Sequence, residues 1–415
     1  MNAVQEKTSP RHSWQIDDER WPDVATAPHS PARAAIAGML VRRASRLAGV
    51  RLTTSADPAI DAVPTIRLAD TDEFHSRLGR DGLIGLGEAW MSGAWTSPDL
   101  HGVLHTLAEQ MTHVVPQPLQ GLRRWYDRPM PSDELGDHAS ARTNVSRHYD
   151  LSNDLFATFL DSTMTYSGAL FEPGDDLEAA QIRKLDAMLD AAHVGPGTRL
   201  LEIGSGWGSL AVRAARRGAD VTTITLSEQQ ISYARAAAQD AGVADRVDVA
   251  LCDFRDVRGR YDAIVSIEMI EAVGERYWPA YFARLGELLA PSGRVALQAI
   301  TMGHDHMLAT RNSWGWIHKY VFPGGLIPSA RAIEEHAGTY GDLAVRQRRS
   351  FGPDYAETLR LWRRSFNLSR RAVRTLGFDD VFCRMWDYYL AYCQAGFSSG
   401  HLDVDQFVLT HGDTR

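Results

Sequence analysis

The sequence predicts an α/β fold with a mostly parallel, seven-stranded sheet that carries helices on both faces. The first observation is that strand-like apolar runs alternate with segments of helical periodicity from residue 198 onward. The second is that a glycine-rich turn follows the first of these runs. Five strands are predicted at 198–203, 220–225, 247–251, 261–267 and 293–300, and two more at 343–350 and 404–410. Ligands of such sheets bind at the carboxyl ends of the strands.

The length of 415 residues predicts two domains. Residues 1–30 are polar and contain proline, which predicts a disordered tail. A smaller N-terminal domain and a proline-rich linker are predicted over 31–135, and the domain that holds the sheet over 140–415. An aromatic-rich insertion near 301–330 either covers an apolar substrate or forms a second small core.

Composition excludes several classes of protein. The formal net charge of −8 argues against nucleic-acid binding. The three cysteines have no metal-ligand spacing, and His304 and His306 have no matching carboxylate or cysteine, so no metal site is expected. No apolar run approaches the roughly 20 residues that span a bilayer, and the N-terminus lacks the apolar core of a signal peptide. We therefore expect a cytoplasmic protein whose membrane contact is peripheral.

Two stretches are basic and amphipathic. Ser30 and Pro31 begin a predicted helix that reaches Arg51 and combines apolar residues with arginines. Residues 355–378 carry six arginines among leucine, tryptophan and phenylalanine. Each stretch suits an anionic membrane surface. Each also suits a helix that packs on its own domain with a solvated face, and both interpretations stay open.

The glycine turn lies between Arg199 and Gly208. Its Gly-x-Gly-x-Gly spacing differs from the Gly-x-Gly-x-x-Gly turn that holds the pyrophosphate of a dinucleotide, which favours a nucleoside without phosphates. With Glu202 two residues before the first glycine, the turn resembles motif I of the S-adenosylmethionine (SAM)-dependent methyltransferases. The alternative is an ordinary strand-to-helix turn.

Further polar residues follow the later strands. Ser227 and Gln230 form a capping box for the next predicted helix, a role compatible with ligand contact. Asp253 could accept a hydrogen bond from an adenine amine with Phe254 against the ring, or the two are a loop acid and a core phenylalanine. Glu271, with Glu268, lies just beyond the fourth strand, where the active site is expected, although a loop acid is often merely solvated.

Four further motifs resemble the cyclopropane-fatty-acid synthase family: His148–Phe156, Tyr166–Phe171, Lys319–Gly325 and Phe351–Tyr355. The resemblance covers residues 64–411. It implies the class I SAM-methyltransferase fold with a small N-terminal α/β lipid-binding domain. It also implies an enzyme that methylates a cis double bond in the acyl chain of a membrane phospholipid, at the inner face of the membrane.

The resemblance assigns residues to the site. Those expected around SAM are Tyr149, Tyr166, Ser167, Glu202, Gly204, Gly206, Trp207, Gly208, Thr225, Ser227, Gln230, Asp253 and Phe254. The family holds bicarbonate as the base with a Cys, a Glu, a His and a Tyr, and the corresponding positions here are Gly168, Glu271, Gln298 and Tyr355. Half of this bicarbonate cage is therefore altered. Glu268 is a further candidate to hold or replace the base.

The altered cage bears on the product. Methyl transfer to an alkene carbon leaves a cation on its neighbour, and prompt proton loss from the new methyl closes a cyclopropane. A hydride shift before proton loss gives a methylene branch instead, which a separate reductase can convert to a methyl branch. The segments around Glu268 and Gln298 resemble those of the tuberculostearic-type enzymes that form 10-methylene and 10-methyl fatty acids. Aromatic side chains can stabilise a cation, and the candidates are Trp314, Trp316 and Tyr320.

We therefore expect a methylene-forming enzyme that acts on an oleoyl-type phospholipid. A cyclopropane synthase is the alternative, and a SAM-binding protein without catalysis is a weaker one. A small-molecule methyltransferase would leave the N-terminal domain and the basic stretches unexplained. The oligomeric state stays open, with a homodimer as one option.

Overall fold

The computed structural model describes residues 15–55, 63–114, 128–129 and 152–412. The strands are β1 (Arg51–Thr53), β2 (Thr65–Leu68), β3 (Trp95–Thr96), β4 (Arg128–Pro129), β5 (Arg199–Ile203), β6 (Asp220–Thr225), β7 (Val247–Leu251), β8 (Tyr261–Ile267), β9 (Leu289–Met302), β10 (Ser313–Trp314), β11 (Leu343–Ser350) and β12 (Leu402–His411).

The α-helices are α1 (Pro22–Ala25), α2 (Pro31–Ala48), α3 (Thr71–Asp81), α4 (Leu83–Met91), α5 (Leu100–Val114), α6 (Asn153–Ala157), α7 (Leu177–Ala191), α8 (Ser209–Arg216), α9 (Glu228–Asp240), α10 (Ile270–Val273), α11 (Trp278–Leu288), α12 (His304–Thr310), α13 (Trp316–Tyr320), α14 (Ala330–Gly341), α15 (Gly352–Leu368), α16 (Arg370–Thr375) and α17 (Asp380–Ser398). Short 3₁₀ turns occupy Ala244–Arg246 and Glu275–Tyr277.

The central sheet has seven strands in the order β11-β12-β9-β8-β5-β6-β7, which confirms the predicted sheet. Strands β5 to β9 are mutually parallel, and β12 runs antiparallel to both β9 and β11. The predicted strand 293–300 extends to Leu289–Met302. Its pairing with β8 shifts register between Tyr261 and Ala263, so β9 accommodates Pro291 and Gly293, residues that argue against a strand when read locally.

The sheet has an apolar core on each face because successive side chains of a strand point to opposite sides. On one face, Leu201 and Ile203 of β5 pack in a cluster with residues of α11 and α14. On the other, Leu200 packs in a cluster with residues of α7 and α8. These two layers fix the carboxyl ends of the strands at one edge, where the predicted site residues gather.

The chain forms two compact units. One consists of Met1–Arg128 with Arg370–Ala395, and the other of Pro129–Ser369 with Gly396–Arg415. We expected residues 140–415 to form one domain, but Arg370–Ala395 belongs to the first unit. Within that unit the Arg384 guanidinium lies 4.4 Å from the centroid of the Trp90 ring and donates hydrogen bonds to the backbone oxygens of Trp90 and Trp95. Such contacts between distant segments leave no mark on local sequence patterns.

The first unit also corrects the predicted tail. Residues 1–14 lie outside the described ranges, but α1 is a helical turn within the segment expected to be disordered. Val24 is buried, and the buried guanidinium of Arg77 donates to the backbone oxygens of Asp23 and Val24. The indole of Trp21 donates to Asp379 at 2.7 Å. The tail predicted to reach residue 30 is therefore too long.

A close approach of α11 and α14 gives a test of this packing. A Cβ added to Gly286 would lie 2.0 Å from the backbone oxygen of Gly341. We expect Gly286→Ala to lower the free energy of unfolding by about 2 kcal/mol, because the two helices must move apart. Urea unfolding monitored by circular dichroism measures the change.

Gly338 in α14 is the matched control, since the nearest heavy atom to an added Cβ is 3.9 Å away. We expect Gly338→Ala to leave stability unchanged or to raise it by up to about 1 kcal/mol through helix propensity. Equal stability of Gly286→Ala and the parent protein would contradict the close approach.

Candidate functional site

The glycine turn joins β5 to α8 at the carboxyl edge of the sheet. Gly204 and Gly206 both lie in the left-handed region, at φ +97° and +48°. A Cβ on Gly204 would lie 2.6 Å from the side chain of Met269, whereas no atom lies within 4 Å of one on Gly206. Gly208 is the N-cap of α8. The turn thus packs tightly at Gly204 and leaves backbone beside Gly206 open to a ligand.

Glu202 is a buried carboxylate next to this turn. It lies near the carboxyl end of β5, and no described residue donates a hydrogen bond to its Oε2. Burial raises the pKa of Glu202 to about 8, although a hydrogen bond from Thr223 and the charge of Lys184 oppose the shift. A buried carboxylate oxygen of this kind suits a cationic group of a ligand.

The loop after β6 is held by a buried hydroxyl and amide network. Ser227 caps α9 by accepting a hydrogen bond from the backbone N–H of Gln230 at 3.3 Å, which confirms half of the predicted capping box. The other half is replaced, because the Gln230 side-chain oxygen accepts from the Thr225 hydroxyl at 2.6 Å. The same hydroxyl of Thr225 accepts from the backbone N–H of Ser227 at 3.2 Å. The network fixes all three side chains at the edge of the sheet.

Asp253 and Phe254 have partners within the protein. Arg255 binds the Asp253 carboxylate at two points, with nitrogen–oxygen distances of 2.8 and 2.6 Å. The Phe254 ring meets the Tyr281 ring edge to face at 5.3 Å. Both observations agree with the alternative that Asp253 is a loop acid and Phe254 a core phenylalanine. Contact of either side chain with adenine stays a prediction.

The segment around Tyr166 forms an aromatic wall. The ring centroid of Tyr166 lies 5.0 Å from that of Phe156 and 5.2 Å from that of Trp362. The Trp207 indole donates to Asn153 at 2.8 Å, and its ring lies 4.9 Å from Phe156. The structure thus brings Tyr166 and Trp207 into one cluster. Tyr149 lies outside the described residues.

Sequence reasoning missed Lys184, a fully buried lysine of α7. Its ammonium donates to the Ser167 hydroxyl at 2.6 Å, and Gln181 donates to the Ser167 backbone oxygen at 2.8 Å. Burial lowers the pKa of Lys184 to about 8, against the negative charges of Glu268, Asp161 and Glu202. The available signal was the position of Gln181 and Lys184 on the buried face of an amphipathic helix. These two side chains hold the backbone on which Ser167 and Gly168 lie.

Four of the five predicted catalytic residues meet at the Glu268 carboxylate. Its Oε1 accepts from the backbone N–H of Gly168 and from the side-chain amide of Gln298, each at 2.9 Å. Its Oε2 accepts from the hydroxyl of Tyr355 at 2.6 Å. Burial raises the pKa of Glu268, while these three hydrogen bonds and the charge of Lys184 oppose the increase.

Glu271, the fifth predicted catalytic residue, lies apart from this cluster of donors. Its Oε1 accepts from the backbone N–H of Ile300 at 2.5 Å, and its buried Oε2 has no hydrogen-bond donor among the described residues. Burial, followed by repulsion from Glu268, raises the pKa of Glu271 to about 8. Two neighbouring acids therefore have different surroundings, an arrangement typical of sites that move protons.

The aromatic residues of the insertion occupy β10 and α13. Trp316 is buried, and its ring centroid lies 5.4 Å from that of Tyr320. The Lys319 ammonium lies 5.1 Å from the Tyr320 ring centroid. Trp314 is half-buried at the end of β10. The role of these three aromatic side chains in covering an acyl chain stays a prediction.

The residues present fit SAM but do not fit a separate bicarbonate ion. The open backbone at Gly206 and the buried oxygen of Glu202 suit a nucleoside that carries a cationic amino acid. By contrast, the donors at Gly168, Gln298 and Tyr355 already bind a carboxylate of the protein.

The sequence of this chain is similar to those of known lipid-modifying enzymes. A profile of the family described as mycolic acid cyclopropane synthetase matches residues 137–407. The chain is 49% identical over 418 residues to the tuberculostearic acid methyltransferase UfaA1 of Mycobacterium tuberculosis, covering 97% of this chain and 98% of that protein. It is 32% identical over 373 residues to the cyclopropane-fatty-acyl-phospholipid synthase of Escherichia coli K12, covering 88% and 91%.

Solved structures agree with the sequence comparisons. The mycolic acid cyclopropane synthase CmaA1, in complex with SAH and CTAB, matches with a TM-score of 0.61 and 33% identity over 66% of this chain and 99% of that chain. This similarity confirms the predicted fold class.

The raised pKa of Glu271 leads to a stability prediction. Its folded-state value of about 8 exceeds the ordinary 4.5, so the folded protein binds this proton more tightly than the unfolded chain. The associated stabilisation is complete below the ordinary value and is lost as pH rises through about 8. Glu271→Gln cannot ionise. We expect its free energy of unfolding, relative to the parent protein, to rise by about 2 kcal/mol between acidic and mildly alkaline pH.

Urea unfolding of both proteins across this pH range measures the difference. Glu334→Gln, at an exposed position of α14, controls for the loss of one carboxylate in general. A stability difference between Glu271→Gln and the parent that does not change with pH would contradict the raised pKa.

Proposed function

Because this chain belongs to the mycolic acid cyclopropane synthetase family, we propose that it is a SAM-dependent C-methyltransferase that acts on phospholipid acyl chains. Its substrate is the cis double bond of an oleoyl-type chain, and its product carries a methylene branch at position 10. A separate reductase then converts the methylene to a methyl branch. The observation that carries this proposal is the similarity to a tuberculostearic acid methyltransferase over 97% of the chain.

The carboxyl edge of the sheet holds the cofactor. When bound, SAM supplies an electrophilic methyl group on a positively charged sulfur. Glu202 would accept a hydrogen bond from the amino group of the cofactor, because its buried Oε2 has no donor among the described residues. The turn at Gly206 would lie against the nucleoside, and the buried pair of Thr225 and Gln230 would face its ribose.

The acidic residues of the site suit a cationic reaction. The Glu268 carboxylate would face the positive charge that develops on the lipid, and burial strengthens its electrostatic effect. The surrounding aromatic wall of Tyr166 and Trp362 excludes water, which would otherwise trap a cation. The chain must then accept one proton from the methylated lipid for each methyl group added.

The methylene product is favoured by the altered cage. Gly168 and Gln298 stand where the resemblance expects a Cys and a His, so the proton acceptor differs from that of a cyclopropane synthase. A methylene branch forms when the hydride shift precedes proton loss to this acceptor. The similarity to the Escherichia coli cyclopropane synthase keeps ring formation as the second candidate.

A product assay distinguishes the two outcomes. We expect the purified protein, given SAM and dioleoyl phospholipid vesicles, to release SAH and to form fatty acids with the vinylidene proton signals of a methylene branch. Mass spectrometry and proton NMR of the hydrolysed lipid provide the measurement, with saturated dipalmitoyl vesicles as the control.

Upfield cyclopropane protons in the same experiment would replace the methylene proposal with ring formation. No SAH from any unsaturated lipid would favour a SAM-binding protein without catalysis.

Helix α2 supports lipid binding at a membrane surface. It buries small residues, among them Ala37 and Gly38, against the rest of its unit, and an added Cβ on Gly38 would lie 3.0 Å from the His75 ring. Its large apolar side chains point outward instead, with exposures of 51–61% at Ile36, Met39, Leu40 and Leu47. Arg43 and Arg46 are exposed on the same helix.

This arrangement favours the membrane-facing interpretation of the helix. Exposed apolar side chains flanked by arginines are typical of helices that lie on anionic membranes. None of the described helices is long and apolar enough to cross a bilayer. We therefore infer that α2 attaches the enzyme peripherally to the surface that contains its substrate.

Vesicle binding tests this role. We expect the double change Met39→Ser with Leu40→Ser to weaken binding to anionic phospholipid vesicles by about tenfold, because about 1.5 kcal/mol or more of apolar burial is lost. Vesicle co-sedimentation measures the affinity, and activity on detergent-dispersed lipid should persist.

Tyr340→Ser is the matched control, since Tyr340 is 49% exposed in α14 and lies outside both basic stretches. We expect it to leave vesicle binding unchanged. Equal losses in the two variants would count against a specific role for α2.

A further inference from the structure

We propose that Glu268 is the proton acceptor of the reaction, so that the enzyme carries its base within its own chain and needs no bicarbonate. This inference rests on the proposed function, since the proton in question is the one lost by the methylated acyl chain. It follows from the position of the Glu268 carboxylate, which lies where the family resemblance places bicarbonate.

Three donors from separate parts of the chain converge on this carboxylate. They are the backbone N–H of Gly168, the amide of Gln298 on β9 and the hydroxyl of Tyr355 on α15, at 2.9, 2.9 and 2.6 Å. A backbone N–H, an amide and a hydroxyl can bind any carboxylate or carbonate oxygen. Because Glu268 already binds all three, a free ion would have to displace it.

Each donor is itself held in place. The Gln298 oxygen accepts from the Gln406 side chain at 3.0 Å, which directs the Gln298 amide hydrogens toward Glu268. The ring of Tyr355 stacks on that of Phe397, with centroids 4.3 Å apart. Lys184 fixes the neighbour of Gly168 through its hydrogen bond to Ser167. The donors therefore form a rigid cage around the carboxylate.

Gly168 is required for this arrangement. A Cβ at this position would lie 2.9 and 3.0 Å from two carbon atoms of the Tyr355 ring. A cysteine would push the ring away and would lengthen the hydrogen bond from Tyr355 to Glu268. Glycine at position 168 is therefore needed for the hydrogen bond between Tyr355 and the Glu268 carboxylate.

The backbone of Glu268 adopts a strained conformation while its carboxylate accepts the three hydrogen bonds. Its φ of +52° lies in the left-handed region, which costs a residue with a side chain about 1 kcal/mol. Glycine would adopt that conformation without the cost. A glutamate in this conformation gains the three hydrogen bonds to its carboxylate, and its own N–H donates to the Gln298 backbone oxygen at 2.8 Å.

The proton balance is simple. A C–H bond of the new methyl group breaks beside the tertiary cation, and its electron pair becomes the second bond of the methylene. The proton passes to the Glu268 carboxylate, which becomes a neutral acid and later returns the proton to solvent. Burial raises the pKa of Glu268 and makes it a stronger base, while the cage and Lys184 favour its ionised form before the reaction.

The first test compares turnover with and without bicarbonate. We expect the purified enzyme, in buffer freed of carbon dioxide, to methylate dioleoyl vesicles at the same rate as after addition of millimolar bicarbonate. A rate that collapses on depletion and recovers with bicarbonate would overturn the inference while leaving the proposed function intact. No product under either condition would instead contradict the proposed function.

Two variants at one position sharpen the test. We expect Glu268→Gln to lose turnover by about 10²–10⁴-fold with SAM affinity retained, because the amide fills the cage but cannot accept the proton. Glu268→Gly removes the side chain and the backbone strain, so we expect an inactive enzyme that bicarbonate or formate partly restores. Isothermal titration with SAM verifies that both variants fold.

The two variants should differ in rescue. Bicarbonate cannot enter the cage of Glu268→Gln, so its turnover should stay low at every concentration. Equal rescue of both variants, or full turnover of Glu268→Gln without additives, would show that the proton goes elsewhere.

Discussion

The burial of charge at the carboxyl edge of the sheet is the constraint on which the site depends. Glu202, Glu268 and Glu271 lie there, and the buried ammonium of Lys184 favours the ionised forms of Glu202 and Glu268. Buried carboxylates are costly unless they are paired or protonated. This edge therefore concentrates acidic groups with raised pKa values, and a sulfonium cofactor or a cationic lipid bound beside them would favour their ionised form.

The glycine turn and the Glu268 carboxylate depend on each other. Gly204 has no side chain, and the side chain of Met269 occupies the place where a Cβ would lie. Met269 directly follows Glu268, so the close packing at Gly204 helps to fix the strained backbone that presents the carboxylate. The glycine turn after β5 and the acidic loop after β8 are thus one packed assembly, because their parent strands are neighbours in the sheet.

In the proposed function, the N-terminal unit keeps the enzyme close to its lipid substrate. Helix α2 attaches to its unit through small residues and leaves its large apolar residues exposed, the reverse of an ordinary surface helix. A double bond lies deep in an acyl chain, so an enzyme that acts on it must remain close to the lipid surface. The exposed leucines and arginines of α2 provide that attachment in the proposed function.

The sequence by itself determined the architecture, since strand and helix periodicities are local. It located the seven strands of the sheet to within a few residues, and the resemblance named candidate residues for the site. Only the tertiary structure decided that Glu268, not Glu271, receives the donors, because those donors lie 100, 30 and 87 residues away in the chain. It also buried Lys184 and joined Arg370–Ala395 to the first unit. Strand order and helix packing bring such side chains together, and neither can be read from the local pattern that forms each element.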